Sequence, residues 1–291
     1  MNTNVKREII ETAAAVPALS LVMPCYNEED CLEFTVPPLV QTFSEAGVSL
    51  QIVLVDNGST DRTSEVIDRL IARGLPITKA VVPVNRGQGL GFLTGFAVCQ
   101  GLYIGYLCAD GQVAPNDVLV TYRALRSATV PTLAKVRRLY RPDSWVRKVV
   151  SIFFNATMKV LFIGMPCLDV NGNPKIMPAN ILRLMELGSE DWFLEAEVML
   201  KARHLRLPVI EINAKGQPRE AGHSHVRFAT ILEFIRNIIS YRVMGSFNGP
   251  WSEWRRRVNA LPVPKNASAN DLGADARPQH LAYSLDSSDL K

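Results

Sequence analysis

Short, uniformly apolar runs alternate with helix-like segments through the first 130 residues of the chain. Four runs have the length and composition of buried strands: residues 19–24, 51–56, 79–84 and 103–108. The segments between them fit helices: residues 28–47, which Pro37 and Pro38 interrupt, an amphipathic stretch that opens at Thr60, and residues 89–100. Apolar strands that alternate with helices form a parallel sheet covered on both faces. The sequence therefore predicts an α/β fold with a mostly parallel sheet.

Polar residues directly follow each of the four predicted strands. Parallel sheets bind ligands at the carboxyl ends of their strands, where the loops meet at one edge. We therefore expect a single cleft built from four groups: Tyr26, Asn27 and Glu28; Asp56, Asn57, Gly58 and Ser59; Asn85, Arg86 and Gly87; and Asp110, Gly111 and Gln112.

The glycines after the third strand, Gly87, Gly89 and Gly91, invite comparison with the dinucleotide-binding pattern G-x-G-x-x-G. That pattern requires glycine where this chain has Phe92, and no acidic residue ends a following strand at the required distance. We expect instead that these glycines let the backbone approach a diphosphate or a sugar closely.

The overall composition argues against several classes of protein. The net charge of +4 is too small to indicate nucleic-acid binding, so no nucleic-acid partner is expected. The five cysteines include no C-x-x-C pair, which argues against a disulfide framework or a structural zinc site and fits a reducing compartment. Because the chain shows no signal peptide and no run of about 18 apolar residues, we expect a cytoplasmic protein without a transmembrane helix.

The basic residues are concentrated in two stretches. Residues 131–175 contain eight Lys or Arg and two Asp, and residues 215–257 contain eight Lys or Arg and three Glu, whereas the remainder is acidic. Each stretch includes a mostly apolar helix with a narrow polar stripe, at 144–163 and 228–243. Two interpretations are open: core helices with one wet edge, or helices in a membrane interface with basic margins.

Three motifs, in this order, resemble glycosyltransferase family 2: residues 21–28 (LVMPCYNE), 55–61 (VDNGSTD) and 108–112 (CADGQ). Within the family they are similar to the dolichyl-phosphate mannosyltransferase-like branch, which moves a sugar from a nucleotide to a polyprenyl phosphate. The resemblance implies a GT-A-type nucleotide-sugar-binding fold and an inverting hexosyltransferase. We expect four parts: a polar leader (1–17), the glycosyltransferase domain (18–227), an amphipathic helical extension (228–257) and a disordered tail (258–291).

The resemblance implies that the first two motifs and the following loops hold the donor nucleotide sugar. The matching residues are Pro24, Tyr26, Glu28, Asp56, Asn57, Arg86, Gly87, Asp110 and Gln112. A carboxylate such as Asp56 suits a ribose because it accepts hydrogen bonds from both hydroxyls. The alternative is that Asp56 caps the helix that begins near Thr60. Asn57 stands where the family often has a second Asp.

The D-x-D motif of the family binds Mg²⁺ or Mn²⁺ and contacts the diphosphate of the donor. This chain has Cys108, Ala109 and Asp110 at the matching positions. Asp110 and Gln112 offer the oxygen ligands that such a cation prefers, whereas the Cys108 thiol does not. The resemblance therefore implies a Mg²⁺ or Mn²⁺ site at Asp110 and Gln112 with one carboxylate fewer than usual. The alternative for Asp110 is a turn residue.

Later segments also resemble the family: residues 169–175 (DVNGNPK), 192–197 (WFLEAE) and 219–226 (REAGHSHV). The resemblance implies a catalytic set of Asp110, Glu195 and Arg219, and acceptor-phosphate contacts from Lys175, Arg219 and Ser224. Arg138, in the basic run ahead of the apolar helix, either binds the same phosphate or is solvated. Glu195 and Glu197 have the alternative of being exposed acids at a helix N-terminus.

Three functions fit these patterns. The first is a transferase on the cytoplasmic face of a membrane that uses a polyprenyl phosphate, an acceptor that is already anionic and needs no general base. The second acts on a soluble or saccharide acceptor, with Glu195 or Glu197 as the base. The third is a sugar-nucleotide-binding protein with little catalysis, because Cys108 and Asn57 replace two carboxylates.

Overall fold

A computed structural model describes residues 16–140, 145–216 and 250–260. Seven strands form one sheet in the order β3-β2-β1-β4-β6-β5-β7. The strands are β1 (Leu19–Cys25), β2 (Leu50–Asn57), β3 (Ile77–Val82), β4 (Tyr103–Tyr106), β5 (Leu133–Tyr140), β6 (Lys175–Pro178) and β7 (Val209–Lys215). Strand β6 is antiparallel to β4 and β5, and the other pairings among the described strands are parallel. The prediction of a mostly parallel α/β sheet is confirmed.

Helices cover both faces of this sheet. They are α1 (Leu32–Glu45), α2 (Thr63–Ala72), α3 (Gln88–Ala97), α4 (Pro115–Arg126), α5 (Trp145–Leu161), α6 (Ala179–Met185), α7 (Leu194–His204) and α8 (Pro250–Ala260). Alternate residues of β1 point to opposite faces, so Leu21 and Met23 pack with α1, α2 and α4, and Val22 packs with α3, α6 and α7. The two cores are therefore separated by the sheet, as an α/β layer architecture requires.

The first helix differs from the prediction at its prolines. Helix α1 runs without interruption from Leu32 to Glu45, with Pro37 and Pro38 inside it. A proline in a helix interior costs about 3 kcal/mol because it removes a backbone hydrogen bond and crowds the preceding turn. Burying a large apolar side chain contributes about 1.5–3 kcal/mol, and α1 buries four on one face: Leu32, Val36, Leu39 and Phe43. Packing outweighs local propensity here.

Helix α5 corresponds to the predicted apolar helix at 144–163. One side of α5 is buried and another is exposed: Met158 is fully buried, whereas Ile152, Phe153 and Val160 are 69%, 71% and 75% exposed. Packing in the core therefore explains the apolar residues on only one side of α5, and other apolar side chains of the helix are exposed to solvent. Among the described residues, no helix combines the length and the hydropathy needed to cross a membrane.

The second predicted apolar helix, at 228–243, lies outside the described residues. Helix α8 extends to Ala260, beyond the predicted boundary at 257 between the helical extension and the tail. Val258 is 4% exposed and belongs to the core around α7. Residues 258–260 are therefore helical rather than part of a disordered tail.

Candidate active site

The loops that follow β1 and β2 are joined to each other by hydrogen bonds. Asn27 has a left-handed backbone (φ 55°), and its Oδ1 accepts the backbone N–H of Thr60 at 2.8 Å. The backbone N–H of Glu28 donates to Thr63 Oγ1 at 2.9 Å. These cross-links hold the first two sequence motifs next to each other, as the predicted convergence at the sheet edge requires.

The alternative role predicted for Asp56, capping a helix that begins near Thr60, is wrong. Asp56 Oδ1 accepts the N–H of Ser59 at 3.0 Å and closes the turn after β2. Helix α2 begins at Thr63, whose N–H donates to Asp61 Oδ1 at 2.9 Å. Asp61 ends the second motif, and its role at the start of α2 was not predicted, although an acidic residue just before an amphipathic run is an ordinary helix-start signal.

Asn57 connects the end of β2 to the glycine-rich loop. It is 2% exposed, and its Nδ2 donates to the carbonyl of Gly87 at 3.0 Å. Its Oδ1 is buried and accepts no hydrogen bond from the described residues. Orphaned buried acceptors are unfavourable and call for a partner. Asn57 therefore presents one hydrogen-bond acceptor that a donor group of a ligand can satisfy.

The glycines of this loop are required by contact with another part of the protein. A Cβ at Gly87 would lie 2.8 Å from the carbonyl oxygen of Glu190, and one at Gly89 would lie 2.5 Å from that of Asp191. The N–H of Leu90 donates to the Glu190 carbonyl at 2.7 Å. The backbone of residues 189–191 thus accounts for glycine at these two positions, and the close approach of a diphosphate or a sugar stays a prediction.

Cys108 and Asp110 follow β4 at the same edge. The Cys108 thiol accepts a hydrogen bond from Gln88 Nε2 at 3.1 Å. Burial, followed by the nearby charges of Asp110 and Glu195, raises the pKa of this thiol to about 12, so it is uncharged at neutral pH. Asp110 is 6% exposed, and its Oδ1 accepts the N–H of Gln112 at 3.2 Å across a turn.

At this edge of the sheet, Asp110 is the carboxylate available to bind a divalent cation at the position of the D-x-D motif. The described residues contain no group of three or more Asp, Glu, His or Cys side chains arranged to hold a metal. Mg²⁺ often binds through one or two carboxylates together with substrate phosphates. The neutral Cys108 thiol and the single carboxylate therefore fit a cation that arrives with a diphosphate, and do not fit a metal held by protein groups alone.

Glu195, at the start of α7, is buried in a network of hydrogen-bond donors. It is 5% exposed. Its Oε1 accepts Asn173 Nδ2 at 2.7 Å, and its Oε2 accepts the Tyr106 hydroxyl at 3.2 Å and forms an ion pair with Lys175. Lys175 is fully buried, and its Nζ lies 5.4 Å from the centroid of the Tyr106 ring. Both oxygens of the carboxylate are therefore engaged.

Glu197, two residues further along α7, is also buried, at 6% exposed. Its carboxylate accepts the N–H groups of Gly188 and Ser189 at 3.2 and 2.9 Å, and lies 2.8 Å from Lys201 Nζ. The alternative that Glu195 and Glu197 are exposed acids at a helix N-terminus is wrong for both residues. Both carboxylates are hydrogen-bonded to protein donors and are almost fully shielded from water.

Arg138, near the end of β5, forms a bidentate ion pair with Asp169. Its Nε and Nη2 lie 3.0 and 3.1 Å from the two carboxylate oxygens. Burial alone raises the pKa of Asp169, but the Arg138 guanidinium outweighs it and holds that pKa well below its usual range. Lys135 donates to the carbonyl of Asp169 beneath this pair. Arg138 is therefore not simply solvated, which was one of the two predictions for it.

The structure brings most of the predicted site residues to one edge of the sheet. The charges of Asp110, Glu195 and Arg138 all act on the Cys108 thiol, and a Cβ at Gly91 would touch both Pro24 and Asn57. By exposure, the predicted residues divide as follows: Pro24, Asp56, Asn57, Asp110, Lys175 and Glu195 are buried; Tyr26, Glu28, Gly87, Gln112 and Arg138 are half-buried; Arg86 is exposed. Arg219 and Ser224 lie outside the described residues.

A mostly parallel sheet that gathers the residues of the three ordered motifs at its carboxyl edge is the arrangement of a glycosyltransferase of the GT-A type. The family model for "Glycosyl transferase family 2" matches residues 20–168, about half of the chain. The chain belongs to glycosyltransferase family 2, and the resemblance seen in the sequence is confirmed.

Two relatives carry the name undecaprenyl-phosphate 4-deoxy-4-formamido-L-arabinose transferase. The one from Edwardsiella ictaluri is 25% identical over 225 residues, which cover 76% of this chain and 67% of the relative. The one from Sodalis glossinidius is 30% identical over 151 residues, 51% of this chain and 45% of the relative. This chain thus spans about half to two thirds of the length of these two relatives.

A solved structure with the same fold is glucosyl-3-phosphoglycerate synthase from Mycobacterium tuberculosis, in complex with Mn²⁺, uridine diphosphate and phosphoglyceric acid. It superposes with a TM-score of 0.59 at 19% identity, and the match covers 79% of this chain and 78% of that one. Another solved structure, of a mycobacterial protein, has the same TM-score and identity, and the match covers 79% of this chain and 74% of that one. At this identity the likeness concerns the fold.

Proposed function

We propose that this protein transfers a sugar from a nucleotide sugar to a polyprenyl phosphate at a membrane surface, with inversion at the anomeric carbon. The relatives named undecaprenyl-phosphate transferases support a lipid phosphate as the acceptor. The structural neighbour that binds uridine diphosphate and Mn²⁺ supports a nucleotide-sugar donor and a divalent cation.

The observation that carries the proposal is the state of Glu195 and Glu197. Transfer to a sugar hydroxyl requires a base to remove its proton, and these two carboxylates were the candidates. Both already accept hydrogen bonds from several protein donors and pair with buried lysines. A phosphate acceptor is anionic at neutral pH and attacks without losing a proton. The site therefore favours a phosphate acceptor over a saccharide hydroxyl.

The proposed reaction is an in-line displacement. An oxygen of the acceptor phosphate forms a bond to the anomeric carbon, and the bond from that carbon to the nucleoside diphosphate breaks, so that the diphosphate leaves with the electron pair. Pro24, Tyr26, Glu28, Asp56 and Asn57 would hold the nucleoside, with Arg86 and Gly87 on the adjacent loop. The buried acceptor of Asn57 would receive a hydrogen bond from the donor nucleotide.

Asp110 and Gln112 are the proposed ligands for Mg²⁺ or Mn²⁺, which would neutralise the charge that develops on the leaving diphosphate. Arg138, which stays paired with Asp169, faces the same edge and would orient the acceptor phosphate. Lys175 would contribute by holding Glu195, because its own charge is already balanced by that carboxylate. We propose the same phosphate-binding roles for Arg219 and Ser224, and a catalytic role for Arg219, as the family resemblance implies.

The exposed apolar face of α5 supports attachment to a membrane surface. Ile152, Phe153 and Val160 on the helix, with Ile163 just after it, are between 69% and 79% exposed. Apolar side chains grouped in this way, within the basic stretch of residues 131–175, fit an interfacial helix on an anionic membrane. We propose peripheral association with the cytoplasmic face. The four-part division of the chain remains a prediction, except that residues 258–260 belong to helix α8.

The acceptor is tested by incubating the full chain with a panel of radiolabelled nucleotide sugars, Mn²⁺ and three acceptors. These are undecaprenyl phosphate in vesicles, phosphoglyceric acid, and undecaprenol, which has a hydroxyl in place of the phosphate. We expect label to enter only undecaprenyl phosphate. Transfer to phosphoglyceric acid alone would refute a lipid acceptor, and because this compound also carries a hydroxyl group, the position of the new bond would show whether a phosphate or a hydroxyl attacks. Transfer to undecaprenol would refute the role of the acceptor charge.

A further inference from the structure

Helix α8 lies outside the region that the family model matches and contacts α7 through two tryptophans. Trp254 is 2% exposed, and its indole N–H donates to the carbonyl of Leu184 at 2.8 Å. Trp251 stacks on Trp254 with the ring centroids 4.7 Å apart. Lys201 Nζ lies 5.4 and 5.2 Å from the centroids of the two rings. The tryptophans of α8 therefore cover a cation of α7.

Lys201 connects this cluster to Glu197. It is 4% exposed, and its Nζ lies 2.8 Å from Glu197 Oε1 and donates to the carbonyl of Glu186 at 2.7 Å. A buried ammonium requires such compensation, and a desolvated cation over an aromatic face is stabilised by about 2 kcal/mol. The position of the Lys201 charge, and with it that of the Glu197 carboxylate, thus depends on α8 being in place.

Glu197 in turn holds residues 188–191, the clasp loop. Its carboxylate accepts the N–H groups of Gly188 and Ser189, and the Glu190 carbonyl accepts the N–H of Leu90. Leu90 lies in the first turn of α3, within the glycine-rich segment whose Gly87 carbonyl accepts a hydrogen bond from Asn57 and whose Gln88 side chain donates one to Cys108. A continuous series of contacts therefore runs from α8, through Lys201, Glu197 and the clasp loop, to the donor side of the cleft.

We propose that Lys201 is a positioning residue, which uses the packing of α8 to fix the clasp loop against the glycine-rich loop of the donor site. The inference rests on the proposed function for the identity of the donor. Without Lys201, the buried Glu197 carboxylate would lose its cation and shift toward water, and the clasp loop would lose the acceptor of two of its N–H groups. The donor loop would then be ordered only when the ligand binds, so the affinity for the donor falls.

The test compares amide hydrogen exchange in the full chain for Lys201→Met and for Arg257→Ala. Arg257 also joins α8 to Glu186, but that ion pair is exposed, with side chains 55% and 49% accessible. We expect the amides of Gly188, Ser189 and Leu90 to exchange about tenfold faster in Lys201→Met and to be unchanged in Arg257→Ala. Unchanged exchange in Lys201→Met, or an equal increase in β1 and β2, would overturn the proposal.

Two further variants separate positioning from general stability. Trp254→Phe keeps an aromatic face over Lys201 but loses the hydrogen bond to Leu184, and should give a smaller increase at the same three amides. Lys201→Arg, which retains the charge, should restore most of the protection. If Lys201→Met fails to fold, Trp254→Phe carries the test, and no increase at these amides would overturn the proposal.

The binding consequence is measured by titrating uridine diphosphate with Mn²⁺ into each variant. We expect the dissociation constant to rise about tenfold in Lys201→Met, and, in transfer assays, KM for the nucleotide sugar to rise by the same factor while kcat stays within about twofold. A change in kcat alone would overturn the positioning role. Failure of transfer to undecaprenyl phosphate would count against the proposed acceptor and would leave the exchange result standing.

Discussion

The Lys175 ammonium and the Glu195 carboxylate form an ion pair from which water is almost completely excluded, with side chains 0% and 7% exposed. The pair joins β6 to α7 beneath the Tyr106 ring. Asn173 and Tyr106 donate to the same carboxylate, so its charge is matched by three groups. A carboxylate held in this way orients its surroundings and is poorly suited to removing a proton from an acceptor.

Breaking this pair should destabilise the fold strongly. Lys175→Met leaves a buried carboxylate without its cation, so we expect a loss of about 3–5 kcal/mol in the free energy of unfolding, measured by urea denaturation. The double variant Lys175→Met with Glu195→Gln should lose clearly less than the sum of the two single variants. Arg73→Ala removes an exposed pair with Glu33 and serves as the control, with an effect of about 0–1 kcal/mol. Additive losses would contradict the coupling.

Substitution of Gly89 should disturb the contact between the glycine-rich loop and the clasp loop. A Cβ at Gly89 would lie 2.5 Å from the Asp191 carbonyl oxygen, so Gly89→Ala must push the two backbones apart. We expect a loss of about 1–3 kcal/mol in stability and weaker binding of uridine diphosphate. Gly188→Ala is the matched control, because its Cβ would have no neighbour within 4 Å. Equal effects of the two substitutions would refute this account.

The ion pair between Arg138 and Asp169 should make stability depend on pH. Because the pKa of Asp169 is held below its usual range, the pair contributes stability that is present above the unfolded pKa of about 3.9. This stability is lost as the pH falls through the lower, folded pKa. Asp169→Asn should therefore cost about 3–5 kcal/mol at pH 7, and its difference from the wild type should shrink below about pH 4.

Urea denaturation at a series of pH values from neutral to acid measures this difference. Asp68→Asn is the control, since the Asp68 side chain is 62% exposed in its pair with Lys79 and should contribute under about 1 kcal/mol. If Asp169→Asn lowers the free energy of unfolding by the same amount at every pH, the charge of the Asp169 carboxylate is not what stabilises the fold.

Restoring a carboxylate at Cys108 should strengthen cation binding. The neutral thiol is a poor ligand for Mg²⁺ or Mn²⁺, whereas Asp offers an oxygen beside Asp110. We expect Cys108→Asp to raise Mn²⁺ affinity about tenfold in the presence of uridine diphosphate, measured by calorimetry. Cys108→Ser, which stays neutral, should bind as the wild type does. No gain in the Asp variant would place the cation away from Cys108.

The apolar face of α5 should govern binding to anionic vesicles. We expect Phe153→Ser combined with Ile163→Ser to lower vesicle binding about tenfold in sedimentation assays, because both side chains are more than 70% exposed. Binding of the wild type should weaken as salt rises, since the basic margins become screened. Phe34→Ser is the control, as Phe34 is 63% exposed on α1. If Phe34→Ser lowers vesicle binding as much as the double variant does, the apolar face of α5 is not the specific membrane-binding surface.

Much of the fold could be predicted because its signals are local. Each strand of the first half is an apolar run, and each is followed by polar residues, so the parallel sheet and its ligand edge follow from residues close in sequence. The continuity of α1 through Pro37 and Pro38 could not be predicted in this way. It depends on a buried face against α2 and α4, which is a tertiary contact.

The sequence by itself determined the α/β class, the family and the residues gathered at the carboxyl edge of the sheet. Only the tertiary structure decided which of those residues have charge left to offer a ligand. Glu195 meets Lys175 from β6 and Tyr106 from β4, and Glu197 is held by the clasp loop and Lys201. The burial and electrostatic environment of a carboxylate depend on groups distant in the chain, and no local pattern encodes them.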